Sequence, residues 1–170
     1  ACGLYEAAIK AAIEGLELAE KIGEGMQKSF LFYWAAEAAL GAGHGDSAFK
    51  FIQRGISEGE KIGHPLGLAV LRLTLAKALL RGGRVEESME PAKAALSFFQ
   101  ALDMGGLLQR SLGIYAEILA NWMPKDEMQI DKMMERAAAL VERSSSPWDK
   151  IEYLKALARI SRLLKDKYFR

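Results

Sequence analysis

Apolar residues in this chain recur at helical spacing. Leu71, Leu75, Ala78 and Leu79 fall at i, i+4, i+7 and i+8, which places them on one face of a helix. Met89, Ala92, Leu96 and Phe99 follow at i, i+3, i+7 and i+10 and predict a second helix. Between them stands Gly82-Gly83. Glycine takes the left-handed conformation that closes a helix end, so the first helix stops there. Glu86 and Glu87 then fall in the first turn of the next helix, as Asp46 does earlier in the chain, and negative charge is favoured there. Lys21 and Lys61 fall in last turns, where positive charge is favoured. His64-Pro65, Gly105-Gly106 and Ser146-Pro147 break the chain between successive pairs of helices. No stretch alternates with the period of a strand, and no low-complexity linker interrupts the chain.

The punctuation is written more than once. Residues 79–89 read LLRGGRVEESM and residues 39–49 read ALGAGHGDSAF, a displacement of 40. The same displacement carries Glu20-Lys21-Ile22-Gly23 onto Glu60-Lys61-Ile62-Gly63. It also aligns columns of small residues: Ala8, Ala48 and Ser88; Ala36, Ala76 and Ala116; Gly15, Gly55 and Ala95. A constant displacement across several columns marks a repeat array. Each unit reads as a pair of helices, and the small columns fall where the two backbones must approach closely. The expected layout is a half-unit at 4–22, units at 26–63, 66–103 and 106–143, and a half-unit at 147–165. One such hairpin cannot cover its own apolar face, so stacked neighbours supply the core. The fold class is therefore all-α: a right-handed superhelix (solenoid) of stacked antiparallel helix hairpins, read as a single domain over 1–170.

Composition narrows the function. The chain has 170 residues, 51% hydrophobic and 26% charged, with a net charge of +1. That length buries a sizeable core, and the balanced charge lacks the basic face that nucleic acid binding needs. Arg159, Arg162, Lys165, Lys167 and Arg170 cluster near the end of the chain and read as a solvated terminal turn. One cysteine, Cys2, excludes an internal disulfide and a cysteine metal cage, and a cytoplasmic location is expected. No apolar run reaches the roughly 18 residues of a membrane span, so no membrane partner is expected. The first residue is Ala rather than Met, which suggests a domain of a larger protein.

Leu75-Ala76, Leu79-Leu80, Gly83, Glu87-Ser88 and Ala95, with their counterparts Ala35-Ala36, Ala39-Leu40, Gly43, Ser47-Ala48 and Gly55, resemble the tetratricopeptide repeat family. The resemblance runs along essentially the whole chain. The period departs from the family's usual length of about 34. The longer form resembles the helical arrays appended to bacterial nucleotide cyclases and to large ATP-dependent transcription activators. A second departure is Trp122-Met123-Pro124, which stands where the other units have their Gly turn. The helix after it reads as slipped by about one residue.

In that family the first helix of each unit lines the inner surface that meets the partner. The resemblance puts Phe30, Tyr33, Glu37 and Gly41 there in one unit, Val70, Leu73, Lys77 and Arg81 in the next, and Arg110, Gly113, Glu117 and Asn121 in the third. The partner-binding set is thus Phe30, Tyr33, Glu37, Lys77, Arg81, Arg110, Glu117 and Asn121. It would hold a peptide by a few apolar contacts and a few charge-assisted hydrogen bonds. The competing reading is a solvated face in which Glu37 pairs with Lys77. Trp34 reads as core, and Tyr33, whose hydroxyl wants a partner, reads as less so. Met123, Met128, Met133 and Met134 read as filler where the repeat slips.

Catalysis finds little support. His44 and His64 lie in turns without metal-ligand spacing. Cys2 has no adjacent base, Ser144-Ser145-Ser146 is a polar turn, and Gly82-Gly83-Arg84 lacks the Lys-Ser/Thr of a phosphate loop. No enzymatic activity, cofactor or metal is expected. The expected function is a protein-interaction scaffold. The alternative is a regulatory sensor domain of a larger signalling protein that binds a small effector and self-associates. The first helix carries Ile9, Ala12, Ile13 and Leu16 with no preceding partner helix, so flanking repeats or end-to-end pairing of two copies is also expected.

Overall fold

The computed structural model describes residues 2–123 and 126–168. Ala1, Pro124 and Arg170, which entered the sequence reading, lie outside the described residues. Eight helices occupy the described residues: α1 (Cys2–Lys21), α2 (Gly25–Ala42), α3 (Gly45–Ile62), α4 (Pro65–Arg81), α5 (Val85–Ala101), α6 (Gly105–Trp122), α7 (Glu127–Arg143) and α8 (Pro147–Tyr168). No strand occurs among them, and the chain is all-α. It forms two compact units, Ala1–Gly82 and Gly83–Arg170.

The helix ends show why the punctuation recurs. Gly23, Gly43, Gly63 and Gly83 all have positive φ, at 71°, 82°, 63° and 76°. The stop signal therefore comes once per helix, at half the displacement read from the sequence. At Gly43 the following N–H, on His44, donates to the Ala39 carbonyl at 2.8 Å, and Gly43 itself donates to Leu40 at 3.2 Å. This closure satisfies carbonyls that the helix end would leave bare. The fifth position of the series is Asp103, which takes φ 48° without being glycine and makes the same pair of bonds: Met104 N–H to Phe99 and Asp103 N–H to Gln100. The sixth is Met123, with φ −129°. Without the left-handed turn the connection lengthens. α3 and α5 begin 40 residues apart, whereas α5 and α7 begin 42 apart. The slip is thus two residues, not one.

In the first unit α2 packs against α1, α3 and α4. Three neighbours explain why α2 is apolar nearly all round and still stable. Gly55 marks the closest approach: a Cβ there would stand 2.7 Å from Phe32 Cβ on α2 and 2.9 Å from Leu71 Cδ1 on α4. Ala36, Ile52 and Ala78 form a buried cluster with Leu40, Phe49, Phe51, Ile56 and Leu75 around it. The second unit repeats the plan around α6, which packs against α5, α7 and α8. Its core joins Ala116, Leu119, Ala120, Ile130, Met134, Ala156 and Ile160, and Gly113 lets α8 approach so closely that a Cβ there would stand 3.1 Å from Ala156 Cβ. At the start of α5, Arg84 Nε donates to Glu87 Oε1 at 2.8 Å. That bond holds the Glu87 carboxyl below its ordinary range and raises Arg84.

Candidate functional site

The candidate site begins with the face of α2 that carries Trp34, which is exposed between half-buried Phe30 and Glu37. Phe30, Trp34, Glu37 and Gly41 follow one another at spacings of four, three and four, so they share one face. Phe30 is half-buried and its ring meets the His64 ring edge-on at 5.2 Å between centroids. Trp34 is 58% exposed. Gly41 is exposed but lies beneath α1's Tyr5, whose Cε1 would stand 2.4 Å from a Cβ at that position.

Here the structure reverses the two aromatic assignments. Tyr33, placed on the exposed face by family register, is only 8% exposed, and Trp34, read as core, is the residue presented to solvent. One residue along a helix is a rotation of about 100°. It carries Tyr33 from the open face into the packed side of α2. The register counterparts of Tyr33 share its fate: Leu73 is 6% exposed, and Gly113 is buried against Ala156. Val70 is buried too. The column 33, 73, 113 is therefore a packing column. The spacing of four between Phe30 and Trp34 reads from the sequence as a packing face, yet Trp34 is exposed on it. The two rings remain coupled, because Tyr33 and Trp34 lie 4.7 Å apart between centroids at a tilt of 54°.

Charge enters from α4. Lys77 Nζ donates to Glu37 Oε2 at 2.6 Å. Thr74 Oγ1 lies 3.2 Å from Glu37 Oε1 and 3.1 Å from the Val70 carbonyl, so its single proton can serve either acceptor. Both carboxylate oxygens of Glu37 thus have a neighbour on α4, and the Glu37–Lys77 pairing expected of a solvated face is present. Arg81 is exposed in the last turn of α4.

The second unit builds the same device with other residues. Arg159 Nε on α8 donates to Glu117 Oε2 on α6 at 2.8 Å. Glu117 is only 3% exposed, so this carboxylate is a buried tie between helices and not an open contact point. Asn121 Nδ2 donates to the Glu117 backbone carbonyl at 2.8 Å. Arg110 is half-buried. Of the residues assigned to partner binding, Phe30, Glu37 and Lys77 meet at or beside one face of the first unit, and Trp34 joins them.

Other sequence candidates resolve into structural roles. Ser144 Oγ donates to Asp149 Oδ2 at 2.6 Å and accepts from Ser146 N–H at 3.1 Å, which ties the turn into α8. His64 is buried, and Gly67 makes room for it: a Cβ there would stand 2.6 Å from His64 Nδ1 and 2.5 Å from Ser29 Cβ. His44 is exposed, with Nδ1 3.6 Å from Glu6 Oε1. Met133 and Met134 pack in the second core, whereas Met123 and Met128 are exposed. Among the described residues no group of three or more His, Cys, Asp or Glu could hold a metal ion. Among them too, no helix is long and apolar enough to cross a membrane. No family model, curated protein or solved structure matches the chain.

Proposed function

We propose that this chain is a non-enzymatic interaction module that takes a peptide segment of a partner protein on the open face of α2. The observation that carries the proposal is Trp34: a tryptophan more than half exposed on a helix held by three neighbours. Tryptophan is the side chain most often found at binding hot spots. Tyr33 beneath it restricts the indole, so little rotamer freedom remains to be lost on binding. Phe30 extends the apolar strip by one helical turn. The Glu37–Lys77 pair borders it and gives the strip a polar rim that can accept and donate hydrogen bonds to a peptide backbone. The likeness to tetratricopeptide arrays supports a scaffold role, and the single cysteine supports a reducing, cytoplasmic setting.

Peptides selected from a displayed random library against the intact chain test this. Binding to the wild type should weaken by about tenfold or more on Trp34→Ala, equivalent to about 1.4 kcal/mol or more. It should be unchanged by Met128→Ala, which removes another exposed large side chain. Failure to select any binder, or equal affinity for wild type and Trp34→Ala, overturns the proposal.

A further inference from the structure

His64 stands at the turn before α4, and its backbone is held from both sides. Its N–H donates to the Gly59 carbonyl at 3.0 Å, and its own carbonyl accepts from Leu68 N–H at 3.0 Å. Pro65 follows and restricts it further. The imidazole does not cap α4. Glu24, one displacement earlier, stands at the same place before α2 and does cap, accepting from Met26 N–H at 3.0 Å. The His64 ring is instead only 8% exposed. Its Nδ1 has no hydrogen-bond partner among the described residues, and neither has Ser29 Oγ. A buried polar atom without a partner costs stability. Gly67 leaves the ring its room, since a Cβ there would stand 2.6 Å from Nδ1, and a glycine inside a helix is a cost as well. The fold carries both costs to keep an imidazole in this place.

What the imidazole meets there is Phe30. The two rings stand 5.2 Å apart between centroids at 77°, a geometry that aromatic quadrupoles favour. Phe30 is the half-buried end of the α2 strip, one turn before Trp34. Trp34 has a similar support in Tyr33, also 8% exposed, at 4.7 Å. Each aromatic side chain of the strip thus has a buried ring against it, one from its own helix and one from the start of α4.

We infer that His64 is a positioning residue of the α2 face, fixing the Phe30 ring for an apolar side chain of the peptide, an inference that rests on the α2 reading for its ligand but not for the ring contact. His64 is covered, so it reaches the peptide only through Phe30. A ring fixed before binding has little freedom left to lose. The ring does this and the nitrogen does not, because Nδ1 bonds nothing among the described residues.

Two variants separate ring from nitrogen, measured with a peptide selected from the displayed library. His64→Phe keeps a ring and removes the unpartnered atom, so it should hold the wild-type affinity. His64→Leu removes the ring at similar volume. It should weaken the peptide about threefold or more while the unfolding midpoint stays or rises. In a Phe30→Leu background, His64→Leu should weaken the peptide no further. The ring contact is read without any peptide, in aromatic proton spectra of the intact chain. The Phe30 signals, assigned by their loss in Phe30→Leu, should lie away from those of free phenylalanine and move toward them in His64→Leu. Phe30 signals that stay in place in His64→Leu overturn the inference. So does wild-type affinity in His64→Leu, or a loss that persists in the Phe30→Leu background. If no peptide is selected, the α2 reading falls, and the spectra alone decide whether His64 fixes Phe30. The spectra and the Phe30→Leu background also decide if circular dichroism shows His64→Phe unfolded.

Discussion

Tyr33 and Trp34 are adjacent in sequence and opposite in role. Truncating them separates those roles. Tyr33→Ala empties a packed site and should cost about 3 kcal/mol in denaturant unfolding. Trp34→Ala should change stability by no more than about 0.5 kcal/mol while weakening peptide binding by about tenfold or more. Comparable losses at both positions would return Trp34 to the core. Asp103 is a second residue-scale case, since it holds a left-handed conformation that glycine holds at four earlier turns. Asp103→Gly should therefore stabilise the chain by about 0.5 kcal/mol or more, read from the unfolding midpoint. The ion pairs differ in the same measurable way. Lys77→Ala breaks a pair about a quarter exposed on both sides and should cost about 1 kcal/mol or less. Arg159→Ala removes a guanidinium bonded to the 3% exposed Glu117 carboxylate and should cost more than that. Equal costs would mean that Glu117 reaches solvent.

The helices themselves were legible in the sequence, because their stop signals are local. Glycine at a left-handed position and proline at a helix start act within one turn of backbone, so each of the repeated breaks could be read directly. The close crossings were legible too, since a column of Gly and Ala has few other uses. Gly55→Ala puts a Cβ into Phe32 and Leu71 and should destabilise by about 1–3 kcal/mol. Gly15→Ala meets only the end of Leu31 and should cost less. Identical costs would contradict the crossing. Harder to read was rotation about the helix axis. The face of α2 left open depends on where α1, α3 and α4 sit around it, and no single column of the repeat encodes that. The same limit hid the Arg159–Glu117 pair, because the displacement changes from 40 to 42 between these helices and their counterparts, after a turn that lacks glycine.

At the scale of the molecule, each of the two units wraps one apolar helix, α2 or α6, with three others. The plan repeats, but its surfaces do not. In the first unit an aromatic strip stays open. In the second, the corresponding carboxylate is closed over by Arg159. A repeat read from sequence predicts equivalent positions and therefore spreads a binding site evenly along the array. Packing removes some of those positions and leaves others. The central claim is that the open face of α2 receives the partner. The most direct measurement is the indole N–H spectrum of the chain during titration with a selected peptide. The chain has three tryptophans, and Trp34, Trp122 and Trp148 are all exposed. The Trp34 signal should move on titration while those of Trp122 and Trp148 stay in place. Movement of Trp122 or Trp148 with Trp34 unmoved would contradict the account.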